Sequence, residues 1–147
     1  MHRTIRAARI VWALLALLSA CAQLLAAERA EPSLYARIGG QPALDAVVAD
    51  ALVRVAADPR IAPRFQHANA GLGRHLMDLL CERSGGPCTY RGRNMADAHE
   101  GMHISDADFD ALMEAVGAAL VQREVPARER GEALGILRRM KGAIVGH

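Results

Sequence analysis

The sequence is poor in aromatic residues. Phenylalanine, tryptophan and tyrosine make up 3% of the 147 residues, and the one tryptophan is Trp12. The rest of the chain therefore has two phenylalanines and two tyrosines with which to fill a core. A domain of about 115 residues can still bury leucine, valine, methionine and alanine, but such a core is thin. A bulky apolar cofactor in its middle would help to complete it.

The sequence also lacks a lysine- and arginine-rich block with interleaved aromatic residues, which a nucleic-acid surface needs. The formal net charge of the full chain is +2, but three arginines, Arg3, Arg6 and Arg9, lie in its first nine residues. Without residues 1–20, fifteen basic residues stand against sixteen acidic ones, a balance near −1. We therefore predict no nucleic-acid partner.

No apolar run near the amino terminus reaches the roughly 20 residues of a secure transmembrane helix. The basic start is followed by apolar residues 10–18 and by small residues before Cys21, which predicts a secretory signal over residues 1–20. The sequence Leu-Ser-Ala-Cys resembles the lipobox of bacterial lipoproteins, which implies a lipid on Cys21. Cleavage after Ala26 or Ala27, or an uncleaved anchor helix, are the alternatives.

Each of these readings places the remaining chain outside the cytoplasm, on the periplasmic or extracytoplasmic face of a membrane if a lipid holds it there. Residues 21–32 are alanine-rich and then charged, which is typical of a tether. We see no repeat and no further boundary, so residues 33–147 are predicted to form one domain.

Two cysteines remain if Cys21 is lipidated. Cys81 and Cys88 are close enough in sequence to form a disulfide in an oxidising compartment, and two unpaired small apolar residues are the alternative. A Cys-x-x-Cys-His site for covalent haem attachment is absent.

Apolar residues recur at helical spacing in four stretches, and none alternates with period two, so the predicted class is all-α. The first two helices should end before Pro59 and Pro87. Ser105 and Asp108 are typical of a capping box, and Pro126 should open the last helix. The stripes are Leu44, Val47, Val48, Ala51, Leu52 and Val55; Leu72, His75, Leu76, Leu79 and Leu80; Phe109, Leu112, Met113, Val116 and Leu120; and Leu134, Leu137, Met140 or Lys141, and Ile144.

A shorter helix is predicted over residues 94–100, and its last two residues overlap a zinc-protease motif. The sequence from His99 to His103 matches His-Glu-x-x-His, which binds zinc only on an unbroken helix. Gly101 interrupts the motif, and a small helical domain offers no sheet edge to hold a peptide. A structural zinc site that adds Cys81 and Cys88 is disfavoured, because their spacing is wider than usual.

Two histidines on apolar faces suggest a haem instead. His75 lies on the second stripe, where a lone histidine is more often a hydrogen-bonded core residue. His99 lies in the short helix, between Met95 and Met102. Imidazole is the usual axial ligand of haem iron, and histidines from two different helices would meet that need.

The chain resembles the truncated haemoglobins, in particular group I, over roughly residues 33 to 145. The fragments are individually weak, but their order and spacing are specific. They are Leu34-Tyr35-Ala36-Arg37-Ile38-Gly39-Gly40, Phe65, Gly85-Gly86-Pro87, Tyr90-Arg91-Gly92-Arg93-Asn94-Met95, Ala98-His99, Phe109 and Val125-Pro126.

This resemblance implies a two-over-two sandwich of helices around a haem b, with His99 as the proximal iron ligand. Phe65 falls where the family packs a ring against the haem face, and Tyr90 and Arg93 fall near the haem propionates. The remaining haem contacts that we predict are Met95, Met102 and Phe109.

The distal side departs from the family pattern. Group I members commonly carry a tyrosine and glutamines that hydrogen-bond the bound gas, and the matching positions here are Leu52, Leu72 and Leu76. Oxygen storage is therefore not expected. Some members use a histidine at the place of His75 as a sixth iron ligand, so we expect His75 and His99 to bind the iron together. A hydrogen bond from His75 to a propionate or to water is the alternative.

These patterns favour a haem protein outside the cytoplasm that binds O2, NO or CO, or passes an electron to a redox partner. An enzyme that converts nitric oxide to nitrate, or a peroxidase-like enzyme, is one alternative. A lipoprotein interaction module without a cofactor is the other.

Overall fold

The computed structural model describes residues 31–66 and 71–147. The predicted signal peptide 1–20, Cys21 and the tether as far as residue 30 lie outside the described residues. Residues 32–147 form one unit. Within the described ranges no helix is both long and apolar enough to cross a membrane.

Helices account for all the regular structure of the described residues, so the predicted all-α class is confirmed. The elements are α1 (Leu34–Arg37), α2 (Gly40–Ala57), α3 (Ala62–Phe65), α4 (Leu72–Arg83), α5 (Met95–His99), α6 (Asp106–Gln122) and α7 (Ala127–Met140), followed by a 3-10 turn (Lys141–Ala143).

The helix ends follow the predicted stop and start signals. Helix α2 ends at Ala57, before Pro59, and α4 ends at Arg83, before the glycine-rich turn. At the start of α6, the Ser105 Oγ accepts a hydrogen bond from the Asp108 amide, and the Asp108 carboxylate accepts one from the Ser105 amide. The predicted capping box is thus formed.

The last helix and the two shortest ones differ from prediction. Helix α7 ends at Met140, so the prediction of one stripe continuing to Ile144 is wrong, and the chain tightens into a 3-10 turn there. Its buried apolar residues are Ile136 and Leu137. Helices α1 and α3 were not predicted, because four residues are too few to show a period.

The core lies between two layers of helices. Helix α2 packs against α4 and α6, and α6 also packs against α7, so α2 with α4 and α6 with α7 form the two layers. One core cluster between these layers contains Val47, Ala51, Ala119, Leu120 and Val125. Among the described residues Phe109 is the single buried aromatic ring.

Candidate functional site

The strongest candidate for a metal ligand is His99, the last residue of α5. Its Nδ1 lies 2.8 Å from the carbonyl oxygen of Met95, one turn earlier. A proton on Nδ1 is donated to that carbonyl, which leaves the Nε2 lone pair free to bind a metal. The start of α5 is also secured, because the Asn94 side chain accepts a hydrogen bond from the Asp97 amide at 2.9 Å. The imidazole therefore lies on a short helix whose first turn is capped by Asn94 and whose last residue, His99, is bonded to Met95.

The chain leaves the helix immediately after His99, which breaks the zinc-protease motif. Glu100 has a ψ of 129°, Gly101 a φ of +74° and His103 a φ of +51°. His99 and His103 therefore do not share a helix face. No group of three or more His, Cys, Asp or Glu in the described ranges could hold a metal ion.

The loop after His99 is tied to two other helices. Arg64 on α3 donates to the Met102 carbonyl oxygen and to the Asp108 carboxylate, each at 3.1 Å. Hydrogen bonds from the Ser105 side chain and backbone lower the pKa of Asp108, and Arg64 lowers it further. The periodicity of the sequence carried no signal for this bridge, because it joins residues 38 positions apart in the chain.

The predicted distal wall consists of Leu52 on α2 and Leu72 and Leu76 on α4, and all three are half-buried. Leu52 and Leu76 pack against the core cluster that includes Cys81. A Cβ placed on Gly73 would lie 3.5 Å from Leu52, so α4 approaches α2 closely. None of the three leucines offers a hydrogen-bond donor to a ligand.

Phe65, on α3, is half-buried and packs against a second core cluster, formed by Val55, Ile61, Ala111 and Ala115. Met95 and Met102 are half-buried on either side of His99. Phe109 is only 3% exposed, and the Lys141 ammonium lies 5.4 Å from its ring centroid. It is the one predicted haem contact that is part of the closed core.

His75 does not lie where the sequence placed it. We expected an imidazole buried among leucines, whereas the structure has the His75 side chain exposed. It sits at the edge of the apolar stripe of α4, next to the exposed Arg74, and not at its centre. Its ring meets the ring of Tyr90 edge-on, with centroids 6.3 Å apart and planes at 82°.

Tyr90 and Arg93 belong to one tight turn beside α4. The Tyr90 hydroxyl donates to the Arg93 carbonyl oxygen at 2.7 Å, and the Tyr90 amide donates to the Glu82 carboxylate at 3.2 Å. A Cβ on Gly92 would lie 2.3 Å from the Tyr90 hydroxyl oxygen, so a larger residue there would displace the Tyr90 ring. The Arg93 side chain is exposed.

The turn is also fixed to the end of α4 by a covalent bond. Cys81 and Cys88 form a disulfide in the structure, with Cα atoms 5.7 Å apart. Cys81 is fully buried, and a Cβ on Gly86 would lie 2.7 Å from its sulfur. Because both sulfurs are bonded to each other, the alternative of a zinc site built from them does not fit the structure.

The chemistry of these side chains fits haem. His99 supplies an oriented imidazole with a free Nε2, and the half-buried leucines, methionines and Phe65 supply apolar surface. A small apolar cavity of about 30 Å³ lies elsewhere, between α1, α2, α4, α6 and α7, and neither histidine lines it. Two helical layers and this donor set define a small haem globin.

Comparison with known proteins gives the family. The model of the bacterial-like globins matches residues 33–146. A group 1 truncated hemoglobin of a Nostoc species is 38% identical over 114 residues, which are 77% of this chain and 97% of that protein. The chain belongs to the bacterial-like globin family and is a truncated haemoglobin of group I.

Solved structures agree with this fold. The truncated hemoglobin of Tetrahymena pyriformis, in its Fe(III) form, has a TM-score of 0.76 at 29% identity, covering 79% of this chain and 100% of that one. The 2/2 hemoglobin of Synechococcus has a TM-score of 0.73 at 27% identity, with the same coverage of both chains. As a truncated haemoglobin, this chain binds haem and small diatomic ligands.

Proposed function

We propose that this globin binds haem b outside the cytoplasm, uses His99 as the proximal iron ligand, and is anchored to a membrane by a lipid on Cys21. The observation that carries the haem assignment is the 2.8 Å contact between the His99 Nδ1 and the Met95 carbonyl oxygen. Such a second contact orients a ligating histidine and raises its basicity.

A bound haem supplies an iron that takes a diatomic ligand or changes its oxidation state by one electron. The protein orients that iron from the proximal side through His99. Leu52, Leu72 and Leu76 keep water away from the distal side and offer a ligand no hydrogen bond. Stable storage of oxygen is therefore not the function that this pocket supports.

His75 is proposed as a second, reversible iron ligand. It shares α4 with Leu72 and Leu76, and its exposed ring meets the ring of Tyr90 edge-on. A histidine that must leave before a gas can bind slows ligand entry, which favours electron transfer to a redox partner or sensing of NO, CO or O2. The alternative, a hydrogen bond from His75 to a propionate or to water, leaves the iron with five ligands.

The two other hypotheses have less support. A nitric-oxide dioxygenase or a peroxidase-like enzyme needs donors that polarise oxygen in the pocket, and the distal leucines provide none. A cofactor-free interaction module does not agree with membership in a haem-binding family.

An absorption spectrum of the purified full chain tests the haem assignment directly. We expect a Soret band and, after extraction into alkaline pyridine, the spectrum of protohaem. A chain that takes up no haem from a stoichiometric supply contradicts the proposal. A pyridine spectrum of another haem type would contradict haem b alone.

Fractionation of cells tests the anchor. Cys21→Ser should move the protein from the membranes to the soluble exported fraction. Cys88→Ser, which also removes one sulfur but lies in the globin domain, is the matched control and should stay with the membranes. If the Cys21 variant stays as well, an uncleaved helix or another anchor must hold the protein.

A further inference from the structure

The loop that follows the proximal histidine takes a strained path. Gly101 and His103 both have positive φ angles, +74° and +51°; glycine adopts such an angle freely, whereas for His103 it costs free energy. The conformation therefore needs restraint by its surroundings. Three backbone hydrogen bonds contribute, from Met102 to the His99 carbonyl, from His103 to the His147 carbonyl, and from Gly146 to the Ile104 carbonyl.

The side chain of Arg64 adds a restraint from outside the loop. One guanidinium nitrogen donates to the Met102 carbonyl oxygen and another to the Asp108 carboxylate, each at 3.1 Å. The planar guanidinium can make both bonds at once. The Asp108 side chain is 11% exposed and that of Arg64 is 39% exposed, so the pair is partly shielded from water.

These bonds form a continuous path from α3 to the iron ligand. Arg64 holds the carbonyl of Met102, and the amide of Met102 donates to the carbonyl of His99 at 3.0 Å. A displacement of Met102 is therefore transmitted to His99 through the hydrogen bond between the Met102 amide and the His99 carbonyl. The second guanidinium nitrogen of Arg64 donates to Asp108, which belongs to the capping box of α6.

We propose that Arg64 is a positioning residue for the proximal ligand, which sets the orientation of His99 by holding the carbonyl of Met102. This inference rests on the proposed role of His99 as the iron ligand. It predicts that loss of the Arg64 side chain weakens the iron bond to His99 and frees the loop, even though Arg64 lies on a different helix.

The test compares Arg64→Gln with Arg60→Gln in the purified full chain. Arg60 is the matched control, because it also pairs with acidic residues, Asp58 and Glu114, and neither bond reaches the proximal loop. Arg64→Lys is a milder variant. It keeps the positive charge near Asp108 but lacks the planar guanidinium that bonds Met102 and Asp108 at the same time. It also serves if Arg64→Gln does not fold.

Two readouts concern the haem. We expect Arg64→Gln to release haem to excess apomyoglobin about tenfold faster, which corresponds to about 1.4 kcal/mol, with a smaller effect for the lysine variant. The iron–histidine stretching band of the ferrous protein should shift or broaden. It is measured in a His75→Leu background, so that His99 is the single protein ligand. Arg60→Gln should change neither.

A third readout needs no haem. In the apoprotein, the amides of residues 102–104 should exchange with solvent about tenfold faster in Arg64→Gln than in Arg60→Gln. If the loop exchanges equally in both variants, or if haem loss and the stretching band match those of the control, the proposal is overturned. A chain that binds no haem would refute the proposed function, and the exchange result would still decide whether Arg64 restrains the loop.

Discussion

The proposed proximal and distal sides of the haem site are built by different means. On the proximal side, hydrogen bonds join His99 to Met95 and Arg64 to Met102. On the distal side, Leu52 and Leu76 pack against the core cluster that includes Cys81, a disulfide closes the turn after α4, and His75 is exposed. Directional polar bonds fix one geometry, whereas apolar packing excludes water without orienting a ligand. If His99 binds the iron as proposed, the proximal side sets the position of the iron, and the distal side sets what can reach it.

The largest effect should come from removing the proximal imidazole. His99→Ala should abolish tight haem binding, because the helix offers no second imidazole on the same face. Haem content per chain, from the Soret absorbance of the purified protein, measures this. His103→Ala is the control and should keep its haem, since His103 lies beyond Gly101 and outside α5. Normal haem content in His99→Ala would refute the assignment.

The next effect concerns the distal histidine. If His75 occupies the iron about nine-tenths of the time, His75→Leu should speed carbon monoxide binding about tenfold. The unliganded ferrous spectrum should change from low-spin six-coordinate to high-spin five-coordinate. Arg74→Leu, a change at the neighbouring exposed residue of α4, should alter neither. A high-spin spectrum in the unmutated protein would rule out ligation by His75.

The third effect concerns the disulfide, whose removal should lower the stability of the protein. Replacing Cys81 and Cys88 with alanine should lower the free energy of unfolding by about 2 to 3 kcal/mol in the chain-entropy model. Urea unfolding of the apoprotein measures it. In a Cys21→Ser background, the denatured, unreduced chain should show no free thiol. Two free thiols per chain would mean that the bond does not form.

The smallest effect concerns the cap that supports the proximal loop. Ser105→Ala should lower the free energy of unfolding by about 1 kcal/mol, because the first turn of α6 loses its cap. Thermal or urea unfolding at neutral pH measures the loss. Glu114→Ala, on the exposed side of the same helix, should cost less. Equal losses in the two variants would show that the capping box contributes little.

The contact between Ser105 and Asp108 also predicts that the stability of the protein depends on pH. The pKa of Asp108 is lowered in the folded protein, first by the Ser105 side chain and then by its backbone amide. The unfolded chain therefore binds a proton more readily, and this contribution to stability is present above the usual pKa of 3.8 and is lost as the pH falls below it. In Ser105→Ala the loss of stability on acidification should be shallower, since the two pKa values come closer together.

Local patterns in the sequence were enough for most of the fold. The period of the apolar stripes located α2, α4 and α6, because such a period follows from the geometry of a single helix, and Pro126 located the start of α7. The capping box at Ser105 was likewise readable, since its two partners are three residues apart. Helices α1 and α3 were not predicted, because a single turn has no period, and the end of α7 was missed although Gly142 follows its C-cap Lys141 directly.

Part of the candidate site was likewise predictable from the sequence, and part was not. The position of His99 in a short methionine-flanked helix was visible in the chain, and so was the lack of polar residues at Leu52, Leu72 and Leu76. The exposure of His75 was not, because a residue at the edge of an apolar stripe is buried or exposed according to what packs beside it. The bridge from Arg64 to Met102 was also hidden. Local sequence patterns were sufficient to place the longer helices and the side chains that they carry, since these depend on neighbouring residues, whereas the contacts between distant residues depend on tertiary packing.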